Sequence, residues 1–130
     1  MDTNNETQVG FIPSGSYQQT CKDISITLTA LLEDANGNFG NPQSLDLTTL
    51  KNPDVWNSNG SFQIVPQGQA PQNYFQPGGS WSQTAVNAQV MLTCQAMTNS
   101  GHYVSASFDL TQVQAADLHN DDGVLKNAAS

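Results

Sequence analysis

Apolar and polar residues alternate in two separate parts of the chain. Residues 24–29 read Ile-Ser-Ile-Thr-Leu-Thr, and Ala88, Val90, Leu92 and Cys94 carry a similar apolar spacing further on. A period of two places every second side chain on the same face of an extended chain. Both segments are therefore predicted to be half-buried β-strands.

The two strands belong to a sequence repeat. Framework residues of the first copy recur at an offset of 64, and later ones, including the Asp-Leu-Thr of residues 46–48 and 109–111, at an offset of 63. The pairs that carry the repeat are Pro13/Pro77, Gly15/Gly79, Ser16/Ser80, Tyr17/Trp81, Gln19/Gln83, Thr20/Thr84, Leu28/Leu92, Phe39/Tyr103 and Phe62/Leu125. Two copies of one unit predict internal two-fold pseudo-symmetry, with surfaces formed in approximate duplicate.

Turn residues divide each copy in the same way. Asn36-Gly37 and the segment 99–101 are typical of hairpin turns. Segments 48–51 and 111–116 have helical or 3₁₀ character, with Thr48 and Thr111 as possible N-caps. No segment supports a long helix. The predicted fold class is mainly β, with short 3₁₀ or helical turns.

The repeats define the expected domain organisation. Residues 1–12 are polar and predict a flexible tail, and residues 13–127 predict one domain. Within it, repeat one covers 13–65, repeat two covers 77–127, and a proline-rich linker covers 66–76. A monomer is expected, with a strand-swapped dimer as the alternative that such a linker permits.

Charge narrows the possible partners. Three basic residues, all lysines, face eleven Asp and Glu, which gives a net charge of -8. Such a chain cannot neutralise rows of phosphates, so nucleic acid is not expected as a partner and neither is an anionic membrane. No apolar run is long enough for membrane insertion. Abundant uncharged amides and hydroxyls match neutral ligands with many hydroxyl groups, such as sugars, although the same residues also serve as solubilising loop residues.

The cysteines and histidines give no sign of a metal or a cofactor. Cys21 and Cys94 occupy non-equivalent places in the two repeats and are expected to be free, small, buried side chains. His102 and His119 have no second ligand at metal spacing. The first residues lack a signal-peptide pattern, so the protein either stays inside the cell, which is the favoured expectation, or has had a leader removed.

These elements, in this order, resemble the cyanovirin-N homologue family of lectins, from about Pro13 to Asn127. The resemblance rests on segments 16–21, 28–39, 45–47 and 57–62, and on 108–110 and 120–125 in the second copy. It implies two pseudo-symmetric halves, each built from both repeats by strand exchange. It also implies two binding sites at opposite ends, with a preference for mannose-rich oligosaccharides. Leu32, Ala85 and Ala96 stand where the founding member has cysteines, so its two disulfides cannot form.

The resemblance also implies the residues of each site. The first site is expected to contain Ser16, Gln19, Thr20, Glu33, Asp34, Ala35, Asn120, Asp121 and Asp122. The second is expected to contain Asn57, Ser58, Asn59, Ser80, Gln83, Thr84, Met97, Thr98 and Asn99. Carboxylates accept paired hydrogen bonds from neighbouring hydroxyl groups, and Gln19 and Asn120 can donate. Because Met97 and Asn59 replace Glu33 and Asp122 in the second site, the first is predicted to bind more tightly.

Two other functions stay open at this point. Glu33 and Asp122 could be the carboxylate pair of a glycoside hydrolase, although a small domain offers little mass for the required cleft. Alternatively, the chain is a structural or protein-interaction module that has lost sugar binding, since Ala35, Met97 and Asn59 depart from the family pattern. Recurrence in pairs predicts that Phe39 and Tyr103 belong to the core. The unpaired Trp56 either packs or stacks on sugar.

Overall fold

Eight β-strands and two 3₁₀ turns make up the secondary structure of residues 10–128, the part of the chain that the computed structural model describes. The strands are β1 (Cys21–Leu32), β2 (Gln43–Asp46), β3 (Pro53–Ser58), β4 (Ser61–Gln69), β5 (Ala85–Met97), β6 (Tyr103–Asp109), β7 (Leu118–Asp121) and β8 (Val124–Asn127). The 3₁₀ turns are Ser16–Gln19 and Ser80–Thr84. The prediction of a mainly β fold is confirmed. In the described part of the chain, no helix is long and apolar enough to cross a membrane.

The strands form one central sheet and two outlying hairpins. The sheet has the order β2-β1-β5-β6, with every pair antiparallel, and β3–β4 and β7–β8 form the hairpins. The 3₁₀ turn of repeat one packs against β7, and that of repeat two packs against β3. Each half of the molecule therefore combines chain from both repeats.

A pseudo-two-fold axis passes between β1 and β5. Thr27 of β1 lies opposite Met91 of β5, and Met91 is also the residue that corresponds to Thr27 in the second repeat, 64 positions later. On either side of this pair, Ile26 is opposite Leu92 and residue 28 is opposite residue 90, so each pairing is the symmetry copy of the other. The sequence repeat thus becomes a symmetric strand pair at the centre of the fold.

The core lies on one face of this strand pair. Ile26, Leu28, Val90 and Leu92 are all fully buried. Their polar neighbours in sequence point to the other face, as the alternation predicted. Removal of this apolar surface from water is the main contribution that holds the two repeats together.

An aromatic side chain closes the core at each end. Tyr17 and Trp81 are buried, and each donates a hydrogen bond to a backbone carbonyl four residues earlier, Pro13 O at 2.8 Å and Pro77 O at 2.9 Å respectively. A buried polar tip needs such a partner. Both turns begin at a glycine with positive φ, and at Gly15 a Cβ would overlap the Leu118 backbone. This close approach brings the turn against β7.

Several sequence expectations change in the structure. Phe39 and Tyr103 are 43% and 41% exposed, so their assignment to the core was wrong: they lie next to the turns that join β1 to β2 and β5 to β6, beyond the buried strand centres. Segments 48–51 and 111–116 form turns without a helix. Phe11, placed in the predicted tail, is fully buried, whereas residues 1–9 of that tail lie outside the described residues.

The segment between the repeats is also more ordered than its composition indicated. β4 continues through Pro66 to Gln69, and Phe75 is buried in the core. The Gln72 Nε2 amide donates to Gly10 O at 2.9 Å and to Tyr74 O at 2.7 Å. Side-chain and backbone contacts therefore hold this connection against the rest of the fold.

Candidate functional site

One group of predicted residues meets where the start of repeat one approaches the turn between β5 and β6. Met97 N donates to Thr20 O at 3.0 Å, and Asn99 N donates to Asp122 Oδ1 at 2.8 Å. The first 3₁₀ turn packs against β7 beside them. We call this group site A. It consists of Ser16, Gln19, Thr20, Met97, Thr98, Asn99, Asn120, Asp121 and Asp122.

The other group meets at the symmetry-related end. Glu33 N donates to Thr84 O at 3.0 Å, and Ala35 N donates to Asn59 Oδ1 at 2.7 Å. The second 3₁₀ turn packs against β3 here. We call this group site B. It consists of Glu33, Asp34, Ala35, Asn57, Ser58, Asn59, Ser80, Gln83 and Thr84.

The sequence-based grouping of these residues was therefore wrong in one respect. It placed Glu33, Asp34 and Ala35 with Thr20 and Asn120, and their counterparts from residue 97 onward with Thr84. A return of Glu33 to Thr20 would require a hairpin between Cys21 and Glu33. Instead β1 runs without a turn through Leu32 and carries Glu33 to the far end of the sheet. Compared with the predicted grouping, the turn that follows β1 lies in site B, and the turn that follows β5 lies in site A.

The exchange separates the two carboxylates that were thought to share a site. Glu33 lies in site B and Asp122 in site A, at opposite ends of a strand of 12 residues. At about 3.3 Å per residue, the sites are roughly 35 Å apart. Paired carboxylates of glycoside hydrolases lie within about 10 Å of each other. Glu33 and Asp122 cannot act as such a pair, and the ranking of the sites, which assumed that they act together, loses its basis.

One asparagine in each site clamps three backbone segments together. In site A, Asn120 Nδ2 donates to Met97 O at 2.8 Å and to Thr20 Oγ1 at 3.0 Å, while its Oδ1 accepts from Gly123 N at 2.7 Å. In site B, Asn57 makes the equivalent three bonds, each at 2.8 Å, to Glu33 O, Thr84 Oγ1 and Gly60 N. Both amide hydrogens are used, so these residues position the site; Asn120, predicted to donate to a ligand, has no amide hydrogen left for it.

The carboxylates differ in how far the protein already uses them. Asp34 Oδ1 accepts from Asn36 N and Asn38 N, both at 2.9 Å, and so stabilises its own turn. Asp121 pairs with Lys126 at 2.7 Å, and this hydrogen bond and the lysine charge lower the pKa of the exposed Asp121 carboxyl. Within the described residues, the Glu33 carboxylate and Asp122 Oδ2 accept no hydrogen bond.

Each site therefore keeps carboxylate oxygens that accept no hydrogen bond within the described residues: those of Glu33 and Asp34 Oδ2 in site B, and Asp121 Oδ1 and Asp122 Oδ2 in site A. Site B also contains the exposed side chains of Ser58, Ser80 and Gln83. Site A also contains the exposed Ser16 and the half-buried Met97. Thr98 is already engaged, since its hydroxyl lies 2.9 Å from Ser100 Oγ. Such mixed donor and acceptor surfaces suit neutral polyhydroxylated ligands.

Sequence reasoning missed one feature of these sites and left a second one open. The first is the clamping role of Asn57 and Asn120, which were taken only as ligand contacts. The available signal was that both asparagines recur at an offset of 63, each three residues before a turn glycine. The second is Trp56, for which the sequence allowed either packing or stacking on sugar, and which is 51% exposed beside site B. Its surroundings follow from the β3–β4 register, which the sequence did not fix.

Comparison with known proteins identifies the family. No curated protein matches the chain. The family model of the CVNH domain matches residues 17–126, which is most of the chain and includes both sites except Ser16. The repeat, the all-β architecture and the exchange of strands between halves are consistent with that family. The chain therefore belongs to the CVNH family, the cyanovirin-N homologues, which are carbohydrate-binding lectin domains of a non-enzymatic type.

Proposed function

We propose that this protein is a lectin that binds mannose-rich oligosaccharides through both site A and site B. The observation that carries the proposal is that each site contains a carboxylate with an oxygen that accepts no hydrogen bond from the described residues, Glu33 in site B and Asp122 in site A. Two neighbouring hydroxyl groups of a pyranose can donate to one carboxylate, and such charge-assisted bonds are stronger than neutral ones.

The rigid surroundings of these carboxylates support the same function. Asn57 and Asn120 each bond two backbone groups and one threonine hydroxyl, and so hold three segments of the site together before any ligand arrives. A shallow polar site makes few contacts, so a small ordering cost on binding matters for affinity. Binding of single monosaccharides is expected to be weak, and oligosaccharides that contact more of the surface should bind better.

Titration with a dimannoside tests the proposal. Amide chemical shifts should change at both ends of the protein, around Met97–Asn99 and Asp122 for site A and around Glu33–Ala35 and Asn59 for site B. A neutral disaccharide with a different hydroxyl pattern, such as a digalactoside, serves as the comparison sugar. Absence of shifts with the dimannoside at millimolar concentration would contradict the proposal and favour a protein-interaction module.

A further inference from the structure

Trp56 presents a large apolar surface to solvent beside site B. Its side chain is 51% exposed, whereas the other tryptophan, Trp81, is 1% exposed. The alternation along β3 explains the difference, since Val55 is buried and Trp56 points to the opposite face of the hairpin. On that outer face, Gln63 is its cross-strand partner.

A cleft of about 350 Å³ lies against this tryptophan. Its lining residues are Trp56, Asn57, Ser58, Gln63, Val65 and Pro66. Two of them, Asn57 and Ser58, also belong to site B, so the cleft and the site form one continuous surface. The volume falls in the lower range of small-molecule sites, and the lining combines apolar walls with a few polar groups, as such sites do.

The indole ring is held in place without a ligand. Trp56 Nε1 donates a hydrogen bond to Asp54 Oδ1 at 3.1 Å. This bond occupies the polar edge of the ring and leaves the apolar ring surface to the cleft. A side chain that is already oriented loses less conformational freedom when a ligand binds.

The symmetry-related position in the other half is chemically different. His119 occupies the position that corresponds to Trp56. Its cross-strand partner is Lys126, whereas that of Trp56 is Gln63. Lys126 forms an ion pair with Asp121, the counterpart of Ser58. The duplication is thus broken here, and only site B adjoins a tryptophan.

The lining points to a neutral sugar ring as the occupant. A pyranose has axial C–H groups on one face, which carry slight positive charge and suit the negative face of an aromatic ring. Its hydroxyl groups at the ring edge can reach side chains such as Ser58 and Gln63. The net charge of -8 and the nearby Asp54 disfavour an anionic sugar.

We infer that Trp56 extends site B by one subsite, in which its ring stacks on a further pyranose of the oligosaccharide held by Glu33 and its neighbours. This inference rests on the proposed function, because it requires a sugar in site B. Site B then recognises a longer oligosaccharide than site A does, and the two sites discriminate between glycans by length.

Calorimetric titration with a dimannoside and a linear trimannoside tests the inference. The variants are Trp56→Ala, Trp56→Phe and, as the matched control in the other half, His119→Ala. Loss of the stacking ring in Trp56→Ala should weaken trimannoside binding about three- to tenfold and leave dimannoside binding within about twofold. Trp56→Phe retains an aromatic face and should restore most of the affinity, and His119→Ala should bind like the wild type.

Fluorescence provides an independent readout, because only Trp56 is accessible to a soluble quencher. Trimannoside should protect wild-type fluorescence from acrylamide, and dimannoside should protect it less. Equal trimannoside affinity of Trp56→Ala and wild type would overturn the subsite while leaving the lectin function in place. Failure of wild type to bind either sugar would overturn both the subsite and the proposed function.

Discussion

At the scale of single residues, the two repeats differ at several positions where ligand contacts are expected, although other such pairs, Thr20 and Thr84 among them, are identical. Glu33 corresponds to Met97, and Asp122 corresponds to Asn59. Because β1 carries Glu33 away from Asp122, each site keeps one of the two carboxylates. Divergence therefore produced two chemically different groups of residues, with Glu33 in one and Asp122 in the other.

Charge removal at each carboxylate tests this separation. Glu33→Gln should weaken sugar binding at site B about tenfold, and Asp122→Asn should do the same at site A, since each loses a charge-assisted hydrogen bond. Amide shifts in a dimannoside titration report each site separately. The effects should be independent in the double variant, because sites this far apart do not couple directly. A Glu33→Gln variant that altered binding around Asp122 would contradict the separation.

The two free thiols give a second residue-scale prediction. Burial raises the pKa of Cys94 to about 12 and also raises the pKa of the half-buried Cys21. At neutral pH both are thiols, which alkylate slowly, and Cys21 should react before Cys94. Because their pKa values are raised on folding, the stability that these neutral groups contribute is present below the ordinary thiol pKa and is lost at alkaline pH.

Mass spectrometry after iodoacetamide treatment at pH 7 and pH 9 measures this order. The urea-denatured protein is the control, and both cysteines should react quickly there. Modification of Cys94 in the folded protein at the denatured rate would contradict the burial of its thiol.

At the scale of elements, a threonine that follows each edge strand links it by hydrogen bonds to the central pair, β1 and β5. We call this arrangement the threonine relay. Thr48 Oγ1 accepts from Ile26 N at 2.8 Å and donates to Asp46 Oδ1 at 2.6 Å. Thr111 makes the same contacts with Val90 N and Asp109. The sequence marked both threonines as helix caps; the turn in which they lie uses the same side-chain chemistry to satisfy a strand amide.

Replacement of Thr48 by Val should destabilise the protein by about 1–3 kcal/mol, because it leaves the Ile26 amide without a partner. Thr111→Val should have a similar effect by symmetry. Thr49→Val is the matched control, and its exposed position predicts a change within about 0.5 kcal/mol. Urea unfolding measures all three free energies. Equal stabilities of Thr48→Val and Thr49→Val would show that the relay contributes nothing.

The same relay predicts an acid dependence. Hydrogen bonds from the Thr48 side chain and backbone lower the pKa of Asp46. A folded-state pKa below the unfolded one stabilises the protein above the unfolded pKa, and this contribution is lost as pH falls through the folded value. The stability difference between wild type and Asp46→Ala should therefore shrink from pH 6 toward pH 2. A constant difference over this range would argue against the charge-assisted bond.

At the scale of the whole molecule, the two sites lie at opposite ends of one rigid strand pair. Both β1 and β5 contribute a terminus to each end, and the core lies between them. Linked sites that can bind one surface together raise the apparent affinity without any new contact. Under the proposed function, this arrangement predicts a preference for dense glycans over isolated ones.

Binding to a mannan-coated surface should exceed binding to soluble dimannoside by about a hundredfold or more in apparent affinity. Glu33→Gln and Asp122→Asn should each remove most of this gain, since one intact site cannot link two chains. Surface plasmon resonance at low and high mannan density measures the gain. A wild-type protein whose apparent affinity does not change with density would contradict bivalent binding.

The sequence by itself determined the periodicity, the repeat and the family of this protein. Alternation selects strands and their buried faces through local geometry, and faithful recurrence of framework pairs such as Tyr17 and Trp81 specifies the symmetry. Only the tertiary structure decided whether the turn that follows β1 lies in site A or in site B. That outcome depends on whether residues 21–32 fold back or run straight, and hydrophobic alternation is compatible with both. Pairing of β1 with β5, a contact between residues far apart in sequence, settles it and thereby distributes Glu33, Asp122 and Trp56 between the two sites.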